Sequence, residues 1–305
     1  MKFPKITESE RIKKLDLPDG ILHMVLDTDT YNEVDDQFAL VYALLSKERL
    51  NVEAVYAAPF LNDRSTTPGE GMELSYGEIL RLLDAMGISS DGLVYKGSDR
   101  FLPDGETPVD SPAVRDLINR AQARSENDPL YVVAIGAITN IASAILTDPE
   151  IIKKIVVVWL GGQPLHWHET YEFNLTQDMH ASRLMFDCGV PLVQIPTSCV
   201  SSHLLTTLTE LETCLKGKNP ICDKLIELFA AYSDNHFAWA KEIWDISTIA
   251  YLINPEWIPA PLVHSPVLTE NHTWSTDKRR HMIRSAIHVH RNPIFRDMFN
   301  KLAGV

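Results

Sequence analysis

The feature that most constrains this chain is an acidic segment, DTDTYNEVDD (27–36), which lies between an apolar run and a helical pattern. The run ILHMVL (21–26) predicts a buried strand, and FALVYALLS (38–46) predicts a helix. In an open α/β sheet, ligands bind outside the carboxyl ends of the strands. The segment therefore occupies the position at which such a protein builds its site.

Five carboxylates lie within these ten residues: Asp27, Asp29, Glu33, Asp35 and Asp36. Packed together without a counterion they would repel one another, and some would have to remain protonated. A hard cation removes this conflict, because Ca²⁺ takes several oxygen ligands from carboxylates and carbonyls. The alternative is an acidic turn that caps the helix, which accounts for Asp35 and Asp36 but not for Asp27 and Asp29 at a strand end.

Strand-like and helical segments alternate along most of the chain, which predicts an α/β fold with a mostly parallel central sheet flanked by helices and a Rossmann-like core. Further strands are expected at VEAVYAA (52–58), PLYVVAIG (129–136), IIKKIVVVWLGG (151–162) and PLVQIP (191–196). Beyond about residue 203, KLIELFAAYSDNHFAWAKEI (224–243) and DISTIAYLINP (245–255) predict helices. We find no repeat or linker, so we expect one domain over residues 1–305.

Composition excludes several classes of function. The net charge of -13 argues against a nucleic-acid partner, which requires a basic surface. No apolar run approaches the roughly 20 residues of a membrane span, so no membrane partner is expected. The N-terminus lacks the apolar core of a signal peptide, which favours a cytoplasmic protein. The four cysteines show no CxxC spacing and are expected to be reduced, without a structural zinc site.

The acidic segment also carries a resemblance. DTDxxxxxDDxxAL is similar to the N-terminal signature of the inosine–uridine-preferring nucleoside hydrolase family, with a loop, Thr30–Val34, that is two residues longer here. Further matching pieces follow in the family's order across nearly the whole chain: Asn62, Gly136–Asn140, Gly161-Gly162, Glu172-Phe173-Asn174 and Trp244-Asp245. Each piece is short, but their common order makes chance agreement improbable.

The resemblance implies a nucleoside hydrolase-like domain that cleaves the N-glycosidic bond of a ribonucleoside or related N-riboside with a calcium-bound water. Asp29 would take the proton of that water. The metal ligands carried over by position are Asp29, Asp36, the Thr139 backbone carbonyl and Asp245. The residues implied to bind ribose hydroxyls are Asp35, Asn62, Glu172 and Asn174, with Asp27 supporting them from behind. The family also suggests a homodimer or homotetramer with a role in purine salvage.

Two residues are candidates for activating the leaving base. Trp244 stands where some relatives have a histidine, and its ring can stack on a purine and stabilise the protonated form, which slightly favours a purine. The alternative for Trp244 is ordinary aromatic packing. His236, in SDNHFAW, is a candidate proton donor, because a helix in this region borders the site in relatives.

Two other functions compete with this interpretation. LDTDT also fits the first motif of haloacid-dehalogenase-type phosphatases, which use Mg²⁺. That motif requires a later lysine followed by an acidic pair at a strand end, whereas Lys153-Lys154 leads only to VVVWLGG. The other alternative is a protein that binds a nucleoside without hydrolysing it. The absence of a histidine before Asp245 and of a clear His-Gly loop around residues 97–112 favours that alternative.

Overall fold

The computed structural model describes residues 3–304. Twelve strands occur in that range: β1 (Leu22–Thr28), β2 (Leu50–Ala57), β3 (Val94–Lys96), β4 (Leu130–Ala134), β5 (Ile155–Leu160), β6 (Leu192–Ile195), β7 (Leu205–Thr206), β8 (Lys241–Glu242), β9 (Leu262–His264), β10 (Val267–Leu268), β11 (Trp274–Ser275) and β12 (Met282–Ser285). Eight of them form the central sheet, in the order β3-β2-β1-β4-β5-β6-β12-β9. Every neighbouring pair is parallel except β12 with β9. The predicted α/β class is therefore confirmed.

Eleven α-helices surround the described strands: α1 (Glu8–Leu15), α2 (Asp35–Leu45), α3 (Pro68–Ala85), α4 (Pro112–Ala123), α5 (Thr139–Thr147), α6 (Phe173–Gln177), α7 (Met179–Asp187), α8 (Leu208–Leu215), α9 (Pro220–Ala230), α10 (Ile246–Ile253) and α11 (Arg291–Ala303). Short 3₁₀ helices cover Pro149–Lys153, Ser201–His203 and Pro255–Trp257. None of the helices within residues 3–304 has the length and apolarity to cross a membrane.

Strands β4 and β5, in the middle of the sheet, are buried along their whole length because helices cover both faces. Along β1, Val25 packs into a core shared with α4, α5 and α7. Its neighbours Met24 and Leu26 point to the opposite core, which is shared with α2, α3, α10 and α11. This burial explains why the strands read as continuous apolar runs rather than alternating ones.

Helix ends follow the local sequence signals. Ser111 caps α4 by accepting a hydrogen bond from the Val114 amide at 3.2 Å, and Pro112 opens the helix. Gly87 follows α3 with a φ of +66°, a left-handed conformation that favours glycine. Both helices thus begin or end where these residue types favour it.

The long helix predicted over residues 224–243 is wrong, because α9 ends at Ala230. Side chains beyond that point bond to the local backbone instead of allowing the helix to continue. Ser233 donates to the Asn235 carbonyl at 2.9 Å, and Asn235 Oδ1 accepts from the Phe237 amide at 3.0 Å. The chain then forms β8, which pairs with β7.

Two glycines of α3 provide a test of the packing. At Gly77 an added Cβ would have only the end of Arg81 near it, at 4.0 Å, whereas at Gly71 it would lie 2.1 Å from the Phe60 carbonyl oxygen. Gly77→Ala should raise the free energy of unfolding by about 0.5–1 kcal/mol, because alanine loses less backbone entropy in a helix. Gly71→Ala should lower it, as measured by urea unfolding. Equal stability of the two variants would contradict the packing described here.

Candidate functional site

A cavity of about 450 Å³ opens at the carboxyl ends of the central strands. Its walls come from the segments that follow β1, β2, β4, β5 and β6 and from the residues that precede α10. Its polar lining within the described chain consists of Asn32, Glu33, Asp35, Asp36, Asn62, Gln163, Glu172, Asn174, Thr197, Ser198 and Asp245, and its apolar and aromatic lining of Ile135, Leu160, Phe173 and Trp244. The site therefore lies at the sheet edge that the sequence indicated.

Three buried carboxylates meet at one end of this cavity. Asp35 and Asp36 open α2, Asp245 immediately precedes α10, and one oxygen from each residue lies within 4.8 Å of the others. Burial raises the pKa of all three carboxyl groups, and the charges of neighbouring carboxylates raise it further. Asp36 and Asp245, both predicted as metal ligands, lie together, and Asp35, predicted to bind a sugar hydroxyl, lies beside them.

Asp29 is fully buried and interacts with this group, although it does not itself line the cavity. Burial and then the charge of Asp35 raise the pKa of Asp29, and the charge of Asp29 in turn raises the pKa of Asp36. Both carboxylate oxygens of Asp29 and Oδ1 of Asp35 are buried without a hydrogen-bond donor. Buried polar atoms are rarely left in this state. A hard cation with several oxygen ligands would satisfy these atoms and cancel the repulsion, so the residues fit such an ion.

The segment after β4 packs directly against the aspartates. A Cβ at Gly136 would lie 2.8 Å from Asp29 Oδ1, which explains the glycine at this position. Asn140 Nδ2 donates to Asp27 Oδ1 at 2.7 Å, while burial raises the pKa of Asp27 to about 7. Thr139 begins α5, is fully buried, and donates its hydroxyl to Asp178. This segment therefore lies beside Asp27 and Asp29.

Two of the predicted sugar-binding residues are fixed by the backbone. Glu172 accepts hydrogen bonds from the amides of Gly162, Asn174 and Leu175, although burial outweighs these bonds and raises the pKa of Glu172. Asn174 Nδ2 donates to the carbonyls of Ile135 and Leu160. Its amide nitrogen is thereby occupied, which leaves Oδ1 as the atom that can accept a bond from a ligand.

Asn62 lies in the same cavity but is held by the lengthened loop. Its Nδ2 donates to Asn32 Oδ1 at 2.6 Å, and its own Oδ1 accepts from the Arg64 amide at 2.8 Å. The insertion noted in the sequence thus fixes the orientation of a residue predicted to bind ribose.

The two candidates for activating the leaving group lie in different places. Trp244 lines the cavity and is half-buried against the core. His236 lies outside the cavity lining: its Nε2 is 3.1 Å from the Ala230 carbonyl oxygen, and its ring packs edge-on against Trp239. The geometry therefore brings Trp244, but not His236, to the other predicted residues.

Sequence reasoning gave no role to several polar lining residues. Gln163, Thr197 and Ser198 follow the ends of β5 and β6, so the strand-end rule could have indicated them. Asn32 and Glu33 belong to the lengthened loop Thr30–Val34, and the two-residue insertion there could have indicated that this loop contributes to the cavity.

Comparisons with known proteins agree with this geometry. The family model described as inosine-uridine preferring nucleoside hydrolase matches residues 24–294. A pyrimidine-specific ribonucleoside hydrolase RihA from Enterobacter sp. (strain 638) is 29% identical over 259 residues, which cover 77% of this chain and 80% of that protein.

Solved structures share the fold. The plant nucleoside hydrolase PpNRh1 superimposes with a TM-score of 0.75 at 18% identity, covering 93% of this chain and 99% of that one. A purine-preferring ribonucleoside hydrolase from Gardnerella vaginalis gives a TM-score of 0.70 at 21% identity, with 92% and 98% coverage.

The crowded aspartates predict an unusual response to metal removal. The pKa values of these aspartates are raised in the folded state, so the protein takes up protons when it folds. The stability that the protonated aspartates contribute is therefore present at low pH and is lost as the pH rises through the raised pKa values. At pH 8 in chelator, Asp245→Asn should therefore raise the free energy of unfolding by about 1 kcal/mol or more, because one pKa unit corresponds to about 1.4 kcal/mol.

Saturating Ca²⁺ should reverse this order, because only the intact site gains stability from the ion. Chemical unfolding with and without chelator measures both effects. Asp91→Asn, at an exposed turn before β3, is the matched control and should show neither. If Asp245→Asn were less stable than the parent protein in chelator at pH 8, the description of the site would be contradicted.

Proposed function

From the premise that this chain belongs to the inosine-uridine preferring nucleoside hydrolase family, and so hydrolyses the N-glycosidic bond of ribonucleosides, we propose that it does so at a calcium site made by Asp29, Asp36, Asp245 and the Thr139 carbonyl. One observation carries the proposal: three buried carboxylates, from the start of α2 and from the residue before α10, converge within 4.8 Å of one another. Family membership decides against the phosphatase alternative.

The donor set favours calcium over smaller or softer ions. The ligands offered are carboxylate and carbonyl oxygens, which hard cations prefer, and Ca²⁺ accepts more of them than Mg²⁺ does. When bound, a divalent cation lowers the pKa of a coordinated water and makes it a better nucleophile at neutral pH.

Asp29 is the proposed general base. Its carboxylate oxygens lack hydrogen-bond donors, so they are free to accept a proton from the attacking water. Gly136 allows the carboxylate to remain in place, because any side chain there would meet it. Asp27, held by Asn140, supports the position from behind.

The sugar is proposed to lie across the carboxylates. Asp35, Asn62, Glu172 and Asn174 all line the cavity and would bind ribose hydroxyls. Cleavage of a glycosidic bond develops positive charge on the sugar ring. Carboxylates close to that ring favour the charge more in the transition state than in the ground state, which is the condition for catalysis.

Trp244 is proposed to contact the leaving base by stacking, which slightly favours a purine. The Gardnerella vaginalis relative is described as purine-preferring, whereas the Enterobacter relative is described as pyrimidine-specific. Trp244 in the cavity wall is the observation that favours the purine side of this choice. His236 remains a weaker proposal, because its ring lies outside the lining.

We also propose, from the same family resemblance, one domain over residues 1–305 that assembles as a homodimer or homotetramer in the cytoplasm and serves purine salvage. A nucleoside, rather than nucleic acid or a membrane, is its proposed partner.

A reducing-sugar assay over a panel of purine and pyrimidine nucleosides tests the function. We expect ribose release that is lost in chelator and restored by Ca²⁺, with purines somewhat favoured. Asp29→Asn, which preserves shape but removes the base, should lower kcat by about 10²–10⁴, while Asp91→Asn should behave like the parent protein. A loss below about fivefold for Asp29→Asn, or chelator-resistant activity, would contradict the mechanism; affinity without ribose release would support the alternative of a binding protein.

A further inference from the structure

One carboxylate in the cavity wall has no part in the proposed metal or ribose contacts. Glu33 belongs to the lengthened loop Thr30–Val34 and lines the cavity beside Asp35. Its side chain is 40% exposed, whereas the aspartates near it are buried. Glu33 therefore lies towards the mouth of the cavity, on the side open to an incoming ligand.

Glu33 is held in place by a second segment of the chain. Lys241 Nζ lies 3.1 Å from Glu33 Oε2, and the lysine side chain is only 11% exposed. The same ammonium group lies 5.0 Å from the centre of the Tyr232 ring. Since Lys241 sits in β8, the ion pair joins the inserted loop to the segment that leads into Trp244.

Trp244 and Glu33 thus belong to connected walls of one cavity. If the ribose lies on the carboxylates as proposed, the base must occupy the remaining lining, which includes both of these residues. An aromatic ring and a carboxylate in the walls of one cavity can together bind a flat cation, through cation–π attraction and charge pairing. The cavity lining within residues 3–304 has five carboxylates and no lysine, arginine or histidine.

We propose, building on the function proposed above, that Glu33 selects ribosides whose base already carries a positive charge, such as N7-alkylated purine ribosides and N-ribosylpyridinium compounds. Glu33 pairs with the charge of the ring, and Trp244 covers its face. Lys241 limits the strength of this pairing by holding and partly neutralising the carboxylate.

The chemistry of such a substrate suits this cavity. Water forms a bond from its oxygen to C1′, the C1′–N bond breaks, and its electron pair neutralises the ring, while the proton of the water passes to Asp29. The base leaves as a neutral molecule and needs no proton donor. A neutral base does need one, and apart from Glu33 the titratable side chains of the cavity lining, in the described part of the chain, are the carboxyl groups assigned above to the metal and the ribose.

The test compares two substrates that differ by one methyl group and one charge, 7-methylguanosine and guanosine, in mildly acidic buffer where the methylated ring keeps its charge. The readout is kcat/KM for 7-methylguanosine divided by kcat/KM for guanosine, measured in each variant. The greater intrinsic lability of the methylated compound cancels when this ratio is compared between a variant and the parent protein. Glu33→Gln should lower the ratio about tenfold, because a charge pair at a half-exposed site is stronger than one in bulk water. Glu33→Asp, which keeps the charge, should retain most of the ratio.

The matched control is Glu212→Gln on α8, which removes a carboxylate from another lysine pair, with Lys216 directly after that helix, and should leave the ratio unchanged. An unchanged ratio in Glu33→Gln, or an equal fall in Glu33→Asp, overturns the inference while leaving the hydrolase function intact. If the parent protein releases ribose from other nucleosides of the panel but from neither of these compounds, the inference fails and the hydrolase function stands. Release of ribose from no nucleoside at all is the failure of the proposed function, so the two failures are distinguishable.

Discussion

The electrostatic repulsion among buried carboxylates is the constraint on which the site depends. Asp29, Asp35, Asp36 and Asp245 are removed from water, and the pKa of each is raised by the charge of at least one of the others. Transferring isolated charges into a protein interior is costly unless they are paired or bind a metal. The protein therefore maintains an arrangement that a divalent cation makes favourable, and the proposed catalytic roles follow from that balance of charge.

The fold reduces the cost of this arrangement in two ways. A parallel sheet brings the segments after β1, β2, β4 and β5 to one edge, so residues distant in sequence meet without long loops. Asp35 and Asp36 also open α2, and Asp245 caps α10, so the positive ends of two helix dipoles face the carboxylates. The same geometry that gathers the negative charge thus partly compensates it.

The sequence predicted the central sheet well, because strands buried on both faces read as plain apolar runs. It also placed Asp36, Asp245 and Trp244 around one cavity, since strand ends and motif order carry that information. It did not predict the Glu33–Lys241 pair, because the residues between α9 and β8 read as a helix and only tertiary pairing with β7 sets their path. The position of His236 could not be predicted for the same reason, because the end of α9 places its ring against the Ala230 carbonyl.

The most direct measurement is anomalous scattering from a crystal of the protein soaked in Ca²⁺. The account predicts one strong peak per chain, within coordination distance of carboxylate oxygens from Asp29, Asp36 and Asp245, at about 2.3–2.6 Å. A crystal with no peak there, with these side chains turned apart in the presence of excess calcium, would contradict it.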